Sequence, residues 1–431
     1  MKPIRKLMPL LSSGVFRGLG AVSQLILAAW VAHRLSKEDS GQFLFYLSCF
    51  TVASPMLLFG TQQFAMRHLS QYGKITSEMS RDSLTLAWLS GRSILIALVA
   101  LLPLAWVLDF QWDIEIATKP IPGQWTFLVV NSLLGSACLA IAAHFHGARK
   151  LAWSLFLSHI GPPSISVALF AMTSVSSVEQ AVLYHGVGCL ITLVIGTTAW
   201  AIVFRPFSWL GRELQKITSL AACLDLWLLN TFILIVNWSP LIIGGFLLSA
   251  DRVAELNIAQ RAANLINFLL IVAGFAFAPQ FRFAWAQQDL LGLRRMVSRC
   301  SFYLIVLGTP LAVVVIGGAP WIMAAFGSEY VQGAMLLSIF AAAQYFNVIT
   351  GTVNQVLTMC NHERTLRNIC LFSSITSFSL GLILVIQFGA VGAAVAAAVA
   401  VILQNILAVL AVKRLLGFWV FDIRSPRTAP A

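Results

Sequence analysis

Three arginines at membrane depth are the residues best suited to chemistry. Arg17, Arg92 and Arg261 fall inside apolar stretches of the chain. A cation at the centre of a bilayer costs ~2.5–3.5 kcal/mol on insertion scales, so such a side chain is expected to face protein or water. Around Arg261 the helical period places Asn257, Gln260, Asn264 and Asn267 within an arc of roughly 120°. Around Arg17 it aligns Ser13, Gly20 and Gln24 on one face. A third stripe, without charge, joins Gln344, Asn347, Gly351, Asn354, Gln355 and Thr358. Two roles are open to these amides: hydrogen bonds between packed helices, or the wall of a hydrated cavity. Two stripes centred on arginine favour the cavity. A guanidinium there binds phosphate in two-pronged fashion, so the expected ligand is an anionic head group. Arg92 lies only two turns from a span end, where it can snorkel to the interface.

The acidic residues are few. Asp225, near one end of its span, has two roles open to it: salt bridge, or counter-ion and protonation site. Asp251, Arg252 and Glu255 open the stretch that carries Arg261. Arg252 and Glu255 stand at i,i+3, either as a solvated pair or as part of a gate. Pro240 with Gly244 and Gly245, and Gly161 with Pro162 and Pro163, supply bends within spans.

The elements that must position these groups are membrane helices. The chain has 431 residues, 59% hydrophobic and 10% charged, with the apolar residues in blocks of about 20. This predicts an all-α integral membrane protein; a β-barrel would show short alternating segments. Twelve spans are expected, at roughly 10–33, 42–63, 84–108, 124–146, 153–173, 178–204, 217–248, 252–282, 300–325, 331–359, 365–388 and 389–413. The basic start, interrupted by Arg17 and lacking a cleavage site, reads as a retained first span.

With both termini cytoplasmic, 21 of the 28 lysines and arginines fall in cytoplasmic segments, and only Arg34, Lys37, Lys119 and Arg252 on the other side. The net charge of +12 is thus a topology signal, and nucleic acid is not an expected partner. The expected organisation is a six-helix half over 1–204, a cytoplasmic linker over 205–216, a second six-helix half over 217–413 and a cytoplasmic tail over 414–431. Leu35-Ser36-Lys37-Glu38 after span 1 matches Leu248-Ser249-Ala250-Asp251 after span 7. An even number of spans per half makes the repeats parallel, around a central cavity.

No P-loop, zinc motif, nucleophile elbow or carboxylate pair is present, and the loops are too short for a catalytic domain. Seven scattered cysteines without a CxxC pair suggest neither metal nor disulfide framework. A transporter without cofactor or metal is expected, rather than an enzyme.

The chain resembles the polysaccharide transporter family of the multidrug/oligosaccharidyl-lipid/polysaccharide (MOP) exporter superfamily, in particular Wzx-type O-antigen and lipid-linked oligosaccharide flippases. The resemblance rests on Ala32-His33-Arg34-Leu35-Ser36-Lys37-Glu38-Asp39-Ser40-Gly41, on Pro279 before a basic loop, on Phe326-Gly327-Ser328-Glu329-Tyr330, and on Phe388-Gly389-Ala390-Val391-Gly392-Ala393-Ala394. Arg17-Gly18-Leu19-Gly20 and Ala250-Asp251-Arg252-Val253-Ala254-Glu255 also resemble peptidoglycan lipid II flippases, whose arginines at these places line the cavity. The chain lacks the additional helix pair that forms a groove for the lipid tail in those proteins.

The resemblance implies a bacterial inner-membrane flippase for undecaprenyl-pyrophosphate-linked oligosaccharide, working by alternating access in lipopolysaccharide or other surface-polysaccharide biosynthesis. The expected partners are membrane lipids, a polysaccharide polymerase and other assembly proteins. Substrate contacts are expected from Arg17, Gln24, Arg252, Asn257, Gln260, Arg261, Asn264, Asn347 and Asn354, and coupling or gating from Asp225, Asp251 and Glu255. The rival expectation is a multidrug antiporter of the same superfamily.

Overall fold

The computed structural model describes residues 2–72, 75–111, 123–205 and 220–421, with side chains from Gly18 onward except at 110–111, 220–222, 275–276 and 279. Among them the chain is helical throughout. The helices are α1 (Lys2–Arg34), α2 (Lys37–Met56), α3 (Thr61–Leu69), α4 (Ser77–Gln111), α5 (Gln124–Gly147), α6 (Leu151–Leu155), α7 (Gly161–Thr173), α8 (Val178–Phe204), α9 (Leu220–Leu247), α10 (Ala250–Ala286), α11 (Leu290–Gly317), α12 (Ala319–Ala324), α13 (Ala334–Ile349), α14 (Val353–Met359) and α15 (Glu363–Leu416).

Nine of these helices or helix runs among the described residues are long and apolar enough to cross a membrane, or ten if the bent pair α2 and α3 forms one span. The longest, α15, has 54 residues and is broken at Gly389, whose φ of 59° and ψ of −135° suit glycine. At 1.5 Å per residue it measures about 80 Å, against a hydrocarbon core of about 30 Å. That length holds the two spans expected at 365–388 and 389–413. Large apolar side chains such as Trp88, Val99, Trp106, Ile202, Val314, Trp321 and Ile386 are exposed, as on a surface that meets acyl chains. The protein is a multi-pass, all-α membrane protein.

Local chemistry sets the helix ends. Ser36 caps α2 by accepting a hydrogen bond from Asp39 N at 3.0 Å, with Glu38 and Asp39 in the first turn. Asp109, late in α4, accepts from Trp125 N at 3.0 Å and Thr126 N at 2.9 Å and so satisfies the start of α5. Asp289 caps α11. The expected window 42–63 is bent by 57° between α2 and α3. There Gly60 has φ +82°, and a Cβ on it would lie 2.1 Å from Cys223 O. The expected bend at Gly161-Pro162-Pro163 takes the form of a π-helical turn, Phe156–Ile160, between α6 and α7. In the window 331–359, α13 and α14 are separated by Gly351 at φ +76°.

The chain forms two compact units. The N unit comprises Val15–Leu234 and Gly245–Asn257; the C unit comprises Met1–Gly14, Ile235–Gly244 and Ile258–Ala431. In the N unit, Leu27, Val31, Phe43, Tyr46 and Phe170 form one apolar cluster. Leu69, Met79, Leu86, Phe145 and Phe204 form another. In the C unit, Val236 packs with Ala400 and Val401. All seven cysteines are free thiols, six of them buried.

Candidate functional site

In the N unit the polar residues at the start of α10 meet α2. Glu255 is 1% exposed, and its two oxygens are held by Lys37 Nζ at 2.7 Å and Arg252 Nη1 at 3.0 Å. The expected i,i+3 pair therefore forms, but around a buried carboxylate, with Arg252 about half exposed. Two residues further along α10, Asn257 is fully buried; its Oδ1 accepts from Ser48 Oγ at 2.5 Å and its Nδ2 donates to Val253 O at 3.1 Å. Lys37, Gly41, Phe45 and Ser48 recur along one face of α2, and this face lies against α9 and α10. A Cβ on Gly41 would stand 1.9 Å from Ala250 O, and one on Gly245 would stand 2.1 Å from the Phe45 ring. Asp251 is exposed beside this seam, and Asp225 is exposed near the start of α9. Gln24 is half-buried on α1; the side chain of Arg17 lies outside the described residues.

In the C unit the stripe continues along α10. Gln260 donates from Nε2 to Asn237 O at 2.9 Å, and its buried Oε1 has no hydrogen-bond partner. Asn264 Oδ1 accepts from Gln344 Nε2 at 3.1 Å, and Asn267 Oδ1 accepts from Asn347 Nδ2 at 3.2 Å. These two rungs tie α10 to α13. Of the two roles open to the amides, Asn257, Asn264 and Asn347 carry interhelical hydrogen bonds. Thr350 Oγ1, at the α13–α14 break, reaches Asn405 Oδ1 on α15 at 3.1 Å. Beyond the break, Asn354 Oδ1 is buried without a hydrogen-bond partner.

Arg261 differs from its neighbours. It is 6% exposed, and its Nε and Nη2 have no hydrogen-bond partner among the described residues. Among the described residues no ion pair includes it. A buried guanidinium with unsatisfied donors costs several kcal/mol, and an incoming anion would offset that cost. Gln260 Oε1, one residue before Arg261 on α10, and Asn354 Oδ1 on α14 are buried acceptors that also have no hydrogen-bond partner among the described residues.

Sequence reasoning missed several partners. Lys37 reads as a loop residue, and Ser48 and Asn237 as ordinary span residues; only the i, i+4, i+8, i+11 recurrence on α2 marked the first two. Asp82 lies outside the expected window 84–108, yet α4 begins at Ser77 and buries it.

No protein-family model matches the sequence, and no curated protein is significantly similar to it. Solved structures are similar in fold. An inward-facing multidrug resistance MATE-family transporter of the MOP superfamily superposes with a TM-score of 0.70 at 11% identity, over 95% of this chain and 98% of that one. The lipid II flippase MurJ, in an inward closed conformation, gives 0.68 at 13% identity, over 94% and 87%. A MOP-superfamily transporter from Pyrococcus furiosus, described as having a binding pocket of reversed polarity, gives 0.63 at 9% identity, over 95% of each chain. The chain thus has the fold of MOP-superfamily transporters.

Proposed function

We infer that this protein is a flippase that moves an undecaprenyl-pyrophosphate-linked oligosaccharide, such as an O-antigen repeat unit, across the bacterial cytoplasmic membrane by alternating access of its halves, 1–204 and 217–413. The observation that carries this reading is Arg261, a buried cation on a membrane helix whose Nε and Nη2 lack partners among the described residues. A pyrophosphate satisfies those donors with charge-assisted hydrogen bonds, the strongest kind at a desolvated site. Arg17 and Arg252 would add cationic contacts, Gln24 a polar one, and Gln260 and Asn354 would accept from sugar hydroxyls. Asn257, Asn264 and Asn347 would reach sugar only by exchanging their present partners. Glu255, with Asp251 beside it, would act in gating and Asp225 in coupling; both termini would face the cytoplasm. A polymerase and other assembly proteins would take the product.

The test is reconstitution in proteoliposomes with a fluorescent polyprenyl-pyrophosphate oligosaccharide and a membrane-impermeant quencher. Wild-type protein should expose the probe to the quencher, and Arg261→Ala should not. Transport by Arg261→Ala at the wild-type rate would sink the reading.

The likeness to a multidrug MATE transporter favours a second reading, drug antiport. Cationic drugs call for buried carboxylates open to a ligand. Here Glu255 is held by two cations and Asp82 by His68 and Tyr72. Drug efflux by the protein in a pump-deficient strain, without flipping in the liposome assay, would decide for antiport.

A further inference from the structure

At one end of the N unit a carboxylate outside the Arg261 stripe is buried among groups that can carry a proton. Asp82, in the second turn of α4, is 4% exposed. Its Oδ2 accepts from Tyr72 OH at 2.5 Å and lies 2.8 Å from His68 Nε2 on α3. Its Oδ1 is buried with no hydrogen bond; the nearest cation is Arg81 Nε at 3.5 Å, which itself has none. His68 stacks on Phe64 at 5.7 Å, yet its side chain keeps 21% exposure, so solvent reaches the ring.

The other ionisable groups on the packed elements are Arg67 on α3, Glu78 and, further along, Arg92 and Asp109 on α4, His144 and His146 at the end of α5, and, towards the far end of α8, Glu179, Tyr184 and His185. His144 Nδ1 meets Ser83 Oγ at 3.3 Å, and α8 contributes the neutral Trp200, whose Nε1 also donates to Ser83 Oγ. Arg149 and Arg205, just beyond α5 and α8, are exposed.

We propose that His68, Tyr72 and Asp82 form a proton-binding site that governs how α3 is held on α4. Histidine is the side chain that changes charge between about pH 5 and 8. A neutral His68 takes a proton from solution at Nδ1, becomes an imidazolium, and keeps donating from Nε2 to Asp82. The contact then changes from a neutral hydrogen bond to an ion pair in a protected setting, a stronger tie. Loss of that proton to water leaves the buried Asp82 with neutral hydrogen bonds from Tyr72 and His68 and with Arg81 Nε at 3.5 Å as the remaining cation, and the tie weakens. Because α3 is the segment beyond the 57° bend from α2, the proton would act on the part of that span past the bend.

Hydrogen–deuterium exchange of the full-length protein in detergent, corrected for the intrinsic pH dependence of exchange, tests this. Protection of the amides over 61–72 should fall by about tenfold as pH rises from 5 to 8, through one midpoint. His68→Gln should abolish the titration, whereas Tyr72→Phe should keep it at lower protection. Carbethoxylation of His68 in the wild-type protein, followed by mass spectrometry, should rise through the same midpoint and needs no variant. Protection over 61–72 independent of pH, a titration that survives in His68→Gln, or a carbethoxylation midpoint that differs would each overturn the proposal. The readouts are conformational and do not depend on which substrate is moved.

Discussion

Lys37 Nζ lies 2.7 Å from Glu255 Oε1, joining the first residue of α2 to the second turn of α10 across 218 residues of sequence. The two partners differ in what they would leave behind. Removing Lys37 abandons a carboxylate that is 1% exposed to a half-exposed Arg252, whereas removing the charge of Glu255 leaves two cations that water can reach. Lys37→Met should therefore cost about 1–3 kcal/mol of stability, and Glu255→Gln less. Thermal unfolding in detergent checks the order, and a larger loss in Glu255→Gln would contradict it.

The same seam tolerates no side chain at Gly41. Its Cβ would stand 1.9 Å from Ala250 O, a backbone atom that cannot rotate away. Gly41→Ala should destabilise by about 1–3 kcal/mol, as overpacking does. The cost should also overlap with that of Lys37→Met, because separating the helices already lengthens the Lys37–Glu255 contact. A double variant with fully additive losses would show that the seam and the ion pair are independent.

The α10 stripe was legible in the sequence because a helix repeats every 3.6 residues, which places Asn257, Gln260, Arg261, Asn264 and Asn267 on one face whatever surrounds them. What faces them was not. The pairing of Asn264 with Gln344 and Asn267 with Asn347 depends on the offset between α10 and α13, a tertiary quantity that no local pattern encodes. The break at Gly389 was readable as a boundary between two apolar blocks, whereas the 57° bend after α2 falls where Gly60, at φ +82°, lies close to Cys223, a proximity set by tertiary packing. Asp82 escaped notice for a physical reason. Hydropathy windows stop at charge, but the first turns of a membrane helix often carry it, and α4 extends seven residues upstream of the expected window.

The amide rungs and the orphan amide should separate in mutagenesis. Asn267→Ala and Asn347→Ala should each lower stability and show a coupling of roughly 0.6–2 kcal/mol in a double-mutant cycle, the range for interhelical hydrogen bonds in membranes. Asn354→Ala removes a buried oxygen that has no partner, so it should leave stability nearly unchanged while slowing flipping. Unfolding midpoints and the liposome assay, read on the same preparations, check both halves of this contrast. Zero coupling between Asn267 and Asn347 would mean that water holds these amides apart.

Arg261 sets stability against function most sharply. A buried guanidinium with two unsatisfied nitrogens destabilises the substrate-free protein, so Arg261→Met, which keeps the length and removes the charge, should unfold at the same temperature as wild type or higher. Arg261→Lys keeps the charge as a point and loses the two-pronged geometry, so it should retain weak binding. Saturating polyprenyl pyrophosphate at 100 times its dissociation constant should stabilise wild-type protein by about 2.7 kcal/mol, Arg261→Lys by less and Arg261→Met not at all. If Arg261→Met lowers the unfolding temperature while the ligand still stabilises it, the arginine holds the helices together instead of the head group. That result would return the site to its amides.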